Sequence, residues 1–342
     1  MKKILIIRND KLGDFMLAYP SFAIAKKYLN DTEIHTLVPH YTKKMAESCE
    51  WIDKVIIDPG SNSGWLKNLL LLQQLKKEKY DAVITLFSTT RIGLITKLSG
   101  IPYRIAPATK FAQLFYNYKL SQRRSESLKP EYEYNLDLVK KYLSDTGITV
   151  KNIPKAPFLH INDVEINNLR TNFCKKNQLE INSKLYFIHP GTGGSATNIN
   201  IEQYADLAKH INIGSKGVIV ITAGPEDEEL EYANKLSLLI KYIPHIIYHS
   251  TSGLYDFTKI IQLCDIFISG STGPLHIAGA LDRPTAAFYQ RRRSATALRW
   301  QTLNSKERRL AFTPPENEGE SDMQKINIVE AAKAINQKFL KN

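Results

Sequence analysis

The strongest constraint on this chain is a repeating word: a short unbroken apolar run, a polar or glycine-bearing turn, then a helical pattern. Ile4-Leu5-Ile6-Ile7 is the first such run, and it ends at once in "RNDKLGD", residues 8–14. "EIHTLVP" (33–39), "KVIIDP" (54–59) and "DAVITLF" (81–87) follow. The second half repeats the theme with "YFIHP" (186–190), "GVIVITAGP" (217–225), "HIIYHS" (245–250), "DIFISG" (265–270) and "TAAFY" (285–289). Runs that are apolar without alternation read as strands buried on both faces, the habit of parallel sheets covered by helices. Strands and helices in alternation predict an α/β fold. A chain of 342 residues exceeds what one core usually serves. The stretch "KNIPKAPFLHIND" (151–163) carries two prolines and no clear period, and reads as a linker. The expectation is two consecutive doubly wound, Rossmann-like domains, residues 1–155 and 156–342. The first helix is expected over Phe15–Tyr28, a polar loop over 119–134 leads into a helix at Glu133–Leu143, and the last helix is expected over Asn327–Leu340.

Hydrophobic content of 43% and charged content of 23% are those of a soluble globular protein. Cys49, Cys174 and Cys264 show no metal-ligand spacing and suit a reducing compartment. The apolar run at the N-terminus is too short for a signal peptide, and no stretch reaches the length of a membrane span. Net charge is +12 and uneven. Residues 1–160 hold 25 Lys and Arg against 15 Asp and Glu; residues 161–342 hold 21 against 19. A basic first half suits an anionic partner, such as a phosphorylated glycan, a lipid surface or nucleic acid; a lysine-rich solvated surface is the plain alternative.

Ligands of open parallel sheets sit at the carboxyl ends of strands. Asp14, with Asp10 beside it, occupies that position after the first strand. Its plain alternative is an N-cap. In "SGSTGPLHIAGALDRP" (269–284), Ser271, Thr272 and Gly273 precede a helix opened by Pro274, a residue suited to a helix start. Free N–H groups there can bind phosphate, with His276 in the first turn; a capped helix start is the bland reading. In "HPGTGGSATNI" (189–199), Gly191, Thr192, Gly193 and Gly194 read as an amide cradle without Walker spacing. In "TAGPEDEEL" (222–230), Gly224 precedes four acids that complement a helix dipole. One of them, Asp227, is the candidate to accept from ribose hydroxyls.

Together, "IRNDKLGDFMLAYP", "FIHPGTGG", "AGPEDEE" and "STGPLHIAGALDRP" resemble glycosyltransferase family 9, which contains the lipopolysaccharide heptosyltransferases; "EYEYNLDLVKKYL" (131–143) resembles the family's segment before the linker. The resemblance implies a GT-B fold, two Rossmann-like domains facing a cleft. The donor sits mainly on the C-terminal domain and the acceptor on the N-terminal one, and the last helix is free to pack back on the latter. It implies inverting, metal-independent transfer of a heptose or other sugar from a nucleotide sugar, with ADP-heptose as a candidate, to a lipopolysaccharide or lipooligosaccharide core. No further cofactor is expected, and no Asp-x-Asp pair is present to hold a metal. The family's proposed general base matches Asp14. Gly13 would then allow a tight turn, with Lys11, Arg91 and Arg104 on the acceptor side. The setting implied is cytoplasmic, with contact at the anionic inner face of the membrane.

Two departures touch the donor site. The family carries a lysine and then a tryptophan beyond the HPG turn; here Ala196 and Asn198 stand near those positions. Ser271 stands where heptosyltransferases often have aspartate. Arg291, Arg292 and Arg293 in "QRRRS" are candidates to replace the lysine on the diphosphate, with a solvated basic loop as the alternative. A nucleotide-sugar epimerase or hydrolase on the same fold stays open. So does a non-catalytic RNA binder, although nucleic acid is not the expected partner without RNP-type motifs or basic–aromatic interleaving.

Overall fold

A computed structural model describes residues 1–109, 111–192 and 197–340. The chain divides into two compact units, Met1–Pro154 and Lys155–Asn342. In the first, the strands are β1 (Lys2–Ile7), β2 (Thr32–Pro39), β3 (Lys54–Asp58), β4 (Ala82–Thr85), β5 (Tyr103–Pro107) and β6 (Tyr118–Leu120). They form one sheet in the order β3-β2-β1-β4-β5-β6, with every pairing parallel. Its helices are α1 (Leu12–Met16), α2 (Tyr19–Tyr28), α3 (Lys43–Glu47), α4 (Gly64–Glu78), α5 (Thr90–Leu98) and α6 (Glu131–Asp145). The expected first helix is two. Pro20 lies in the first turn of α2 and has no N–H to continue the ladder from α1. Only the last four residues of the expected loop belong to α6, its first two close β6, and β5 and β6 extend the sheet beyond β4, with β6 at the edge.

The second unit repeats this plan. Its strands are β7 (Leu185–His189), β8 (Val218–Ala223), β9 (His245–His249), β10 (Ile266–Gly270), β11 (Thr285–Phe288) and β12 (Arg309–Phe312). Their order is β12-β11-β10-β7-β8-β9, again all parallel. The helices are α7 (Asp163–Lys176), α8 (Ile201–Gly214), α9 (Asp227–Leu239), α10 (Leu254–Ile261), α11 (Gly273–Ala280) and α12 (Ile328–Ile335). The last helix packs on α8, and its Ala331, Ala332 and Ile335 join the core formed by β7, β8, α8 and α9. In both sheets the strand order reverses beside the first strand, between β1 and β4 and between β7 and β10. That crevice is where doubly wound sheets bind ligands, because the loops on either side diverge there.

Candidate active site

At the first switch point β1 ends and Arg8 follows, fully buried. A guanidinium out of water needs partners on every edge, since an unpaired buried charge costs several kcal/mol. Arg8 has them. Nε donates to Asp10 Oδ1 at 2.8 Å, Nη1 to Glu131 Oε1 at 3.2 Å and to Asn135 Oδ1 at 3.0 Å, and Nη2 to Asp14 Oδ1. The Phe87 ring, just after β4, lies 6.0 Å from the guanidinium carbon. Glu131 and Asn135 are four residues apart on α6, so both point the same way. Asn135 Nδ2 donates to the Leu17 carbonyl at 3.2 Å, tying α6 to the joint between α1 and α2. Arg124 Nη1 donates to the same Glu131 oxygen at 2.6 Å.

Among the described residues, Asp10, Asp14 and Glu131 thus meet at the Arg8 guanidinium, and Arg124 adds a second guanidinium to Glu131. Burial pushes the Asp14 carboxyl up to about 7; Arg8 pulls against this, and the like charges of Asp10 and Glu131 add to it. Asp10 is raised as well, by burial first, against Arg8. Burial alone would lower the Arg8 guanidinium, but the carboxylates outweigh it and hold it charged. Asp14 is the third residue of α1, whose N-cap is Lys11, so the capping alternative falls. Gly13 is helical with no positive φ, so it serves no tight turn.

The other acceptor-side residues separate. Lys11 is exposed beside the cluster. Arg91, in the first turn of α5, grips Asp58 at the end of β3 with Nη2 at 2.8 and 2.5 Å, and Asn9 donates to the same carboxylate. That places Arg91 at the carboxyl end of the sheet. Arg104 does not join it. It sits near the start of β5 and spends its guanidinium on the Ile101 and Phe115 carbonyls, the latter at 3.0 Å, which is a structural duty.

In the second unit, β7 and β10 bring two of the three glycine turns to the switch point. The turn after β8 stands beside them. His189 is buried at the end of β7, with Nδ1 3.0 Å from Thr222 Oγ1. Burial lowers its pKa, against Glu229, so it is neutral. Gly191 and Gly224 are needed for a reason the sequence hides. A Cβ on either would lie 2.6 Å from the Glu229 carboxyl group, which also accepts from Gly224 N–H at 2.7 Å. Of the four acids opening α9, Glu229 is the one that reaches the turns, while Asp227 lies exposed in the first turn.

Asn198 joins the turns after β7 and β10. Its Nδ2 donates to the Pro190 carbonyl at 3.2 Å, its Oδ1 accepts from Tyr204 at 2.8 Å, and a Cβ on Gly270 would meet it at 2.7 Å. Thr272 is the N-cap of α11, but its hydroxyl lies 3.0 Å from Ser269 Oγ and does not cap. The helix start, Gly273 and Pro274, thus carries no side-chain cap, which overturns the bland reading of a capped terminus. Ser271 is half-buried beside it. His276 is buried with Nδ1 unpartnered, and burial lowers its pKa to about 4. Thr192 is half-buried; Gly193, Gly194 and Ala196 lie outside the described residues. Arg291 does not offer a free guanidinium. Its Nη2 donates to the Glu316 and Glu318 carbonyls at 3.2 and 2.7 Å and so holds that loop. Arg292 and Arg293 are exposed. Among the described residues no group of three or more His, Cys, Asp or Glu is arranged to hold a metal ion.

Sequence reasoning alone missed Arg8, Glu131, Asn135, Glu229 and the bridging role of Asn198. A charged residue directly abutting an all-apolar strand was the available signal for Arg8, since such a position is buried and demands counter-charges.

The sequence pattern of the family described as Glycosyltransferase family 9 (heptosyltransferase) matches residues 69–325. A Haemophilus influenzae protein named "Putative glycosyltransferase" is 41% identical over 343 residues, covering 100% of this chain and 98% of that protein. Lipopolysaccharide heptosyltransferase 1 of Campylobacter coli is 24% identical, over 84% of this chain and 83% of its own. The solved structure of the Escherichia coli ADP-heptose lps heptosyltransferase II superposes with a TM-score of 0.74 at 17% identity, covering 98% of this chain and 99% of that one. The chain belongs to glycosyltransferase family 9.

Proposed function

We propose that this glycosyltransferase moves a heptose or related sugar, with inversion and without a metal, from a nucleotide sugar to the core of a lipid-linked lipopolysaccharide or lipooligosaccharide. Asp14 is the general base. The observation that carries this is the Arg8 cluster: a carboxylate lifted to about 7, at a switch point, held by a buried arginine that it shares with Asp10 and Glu131. As the acceptor hydroxyl attacks the anomeric carbon and the bond to the leaving nucleoside diphosphate breaks, the hydroxyl proton passes to Asp14, which relieves its repulsion with Asp10 and Glu131. A base whose pKa lies near the working pH serves proton transfer best. Arg8 holds the carboxylate in place through Nη2 while Glu131 and Asn135 hold Arg8.

The leaving diphosphate needs positive potential, which a helix start without a side-chain cap can supply. The α11 terminus at Thr272–Gly273 and the Gly191 turn are the donor-side groups of this reading, with the exposed Arg292 as a basic residue to assist. ADP-heptose is the first donor to test, since the C. coli and E. coli relatives are heptosyltransferases. Asn198 favours a second possibility within the same reading: a small amide where the family has tryptophan fits a different nucleotide sugar. No cofactor beyond the donor is required, and a lipid-linked acceptor brings the chain to the inner face of the membrane. Calorimetric titration of ADP, UDP and GDP, then ADP-heptose, followed by a transfer assay on delipidated and intact core acceptors, tests the proposal. Absence of affinity for every nucleotide, or donor turnover without transfer, would defeat it.

A further inference from the structure

We infer that the outer face of α4 and α5, with the 3-10 turn Phe111–Phe115, docks on an anionic lipid bilayer. α4 has two apolar faces. Leu71 and Leu75 are buried in the core with Ile92 and Ile95 of α5. Trp65, Leu66, Leu69 and Leu70 recur at helical spacing on the other face and stand in solvent, Trp65 at 77% and Leu70 at 57% exposure. Lys76 and Lys77 follow three turns further along that same face, both exposed.

The neighbours extend the patch. Arg91 of α5 donates to Asn68 of α4 at 2.9 Å, and Gly93 lets Phe115 approach so closely that a Cβ would lie 2.9 Å from its ring. On the outside of these elements Leu94, Leu98, Phe111 and Leu114 are exposed, Phe111 at 77%. Scattered exposed apolar residues are ordinary; eight on three adjoining elements form a patch that has to be covered by something.

Charge selects the occupant. Lys67, Lys76 and Lys77 of α4 and Lys97 of α5 are exposed on these elements, and the sequence holds no Asp or Glu from 59 to 77 or from 82 to 125. A second copy of the chain seated on this face would set lysine against lysine. An acidic membrane surface meets the same lysines with opposite charge while the acyl boundary receives the leucines and tryptophan. An amphipathic surface with Trp and Leu on the apolar side and Lys at its border is the form that lies in the interfacial plane. No helix among the described residues is long and apolar enough to cross a membrane, so this contact is with the surface.

The test reads partition alone, with no donor or acceptor, so it stands or falls apart from the transfer reaction. The chain is sedimented with vesicles of phosphatidylglycerol and of phosphatidylcholine. Expected are binding to the first, at least tenfold weaker binding to the second, and a fall with salt, because exposed charges are screened over about 8 Å at physiological ionic strength. Trp65→Ser with Leu70→Ser should lower partition at least tenfold at an unchanged thermal midpoint. Lys67→Gln with Lys76→Gln and Lys77→Gln, which touches no packed residue, should lower it and flatten the salt dependence. Equal partition of parent and both variants overturns the inference. So does failure of the parent to bind either vesicle, or a parent dimer that the Trp65/Leu70 variant turns into a monomer.

Discussion

The two units share one topology and differ in what they place at the switch point. In the first, the end of β1 delivers a buried arginine ringed by three carboxylates. In the second, the ends of β7 and β10 deliver glycines, hydroxyls and two buried histidines held below their usual pKa. The backbone geometry is common to both, so it selects where a ligand is met and says nothing about the chemistry done to it. In the proposed reaction the first end takes a proton, and the second receives a group that arrives negative.

That contrast can be broken most sharply at Asp14. Asp14→Asn should lower turnover by roughly 10²–10⁴, the usual worth of a positioned base, while calorimetric affinity for the donor stays unchanged. Full activity in this variant would make the first cluster structural. Next in size, Gly273→Val should weaken nucleoside diphosphate binding by about tenfold or more by crowding the uncapped start of α11, with the Asp14-dependent pH behaviour intact. Normal diphosphate affinity would remove that terminus from the donor site.

The pH profile sharpens the comparison further. If Asp14 must be ionised, kcat/KM rises with pH through about 7. Glu131 raises the Asp14 pKa, so Glu131→Gln should move that acidic limb to lower pH. A limb that stays in place would separate Glu131 from the base. Stability runs the other way. The folded carboxyl keeps its proton to higher pH than the unfolded one, so its contribution is full below about 4 and is lost as pH rises through about 7. The smallest effect is expected in the second unit. Arg291→Ala should lower the thermal midpoint, at a cost of about 1–3 kcal/mol for lost hydrogen bonds to a charged group, and leave donor affinity unchanged. Arg292→Ala should do the reverse, leaving the thermal midpoint in place and weakening donor binding. A matched loss of donor affinity in both variants would return Arg291 to the donor side.

The nine runs read as strands all became strands; those inside the sheets, such as β1, β7 and β10, were clearest because burial on both faces leaves few polar residues to blur them. β5, β6 and β12 were not legible. "YRIAP", "YKL" and "RLAF" are short, carry a charge each, and complete the sheets near or at an edge, where burial is one-sided. The division near residue 155 was readable from two prolines in an aperiodic stretch. The position of Asp14 just beyond a strand end was legible. Its partners were not, since Glu131 is 123 residues away and only the packing of α6 against α2 brings it to Arg8. That Glu229, and not Asp227, packs against the glycine turns was hidden for a different reason. In a run of four acids, the phase of the helix alone decides which one turns inward.

Arg8 and the groups that hold it, Asp10, Asp14, Glu131 and Asn135, all precede residue 155. On the proposed reading, with Asp14 as the base, these residues travel together in the first unit. An exchange of second units at the linker would then change the proposed donor side and leave this group of residues intact.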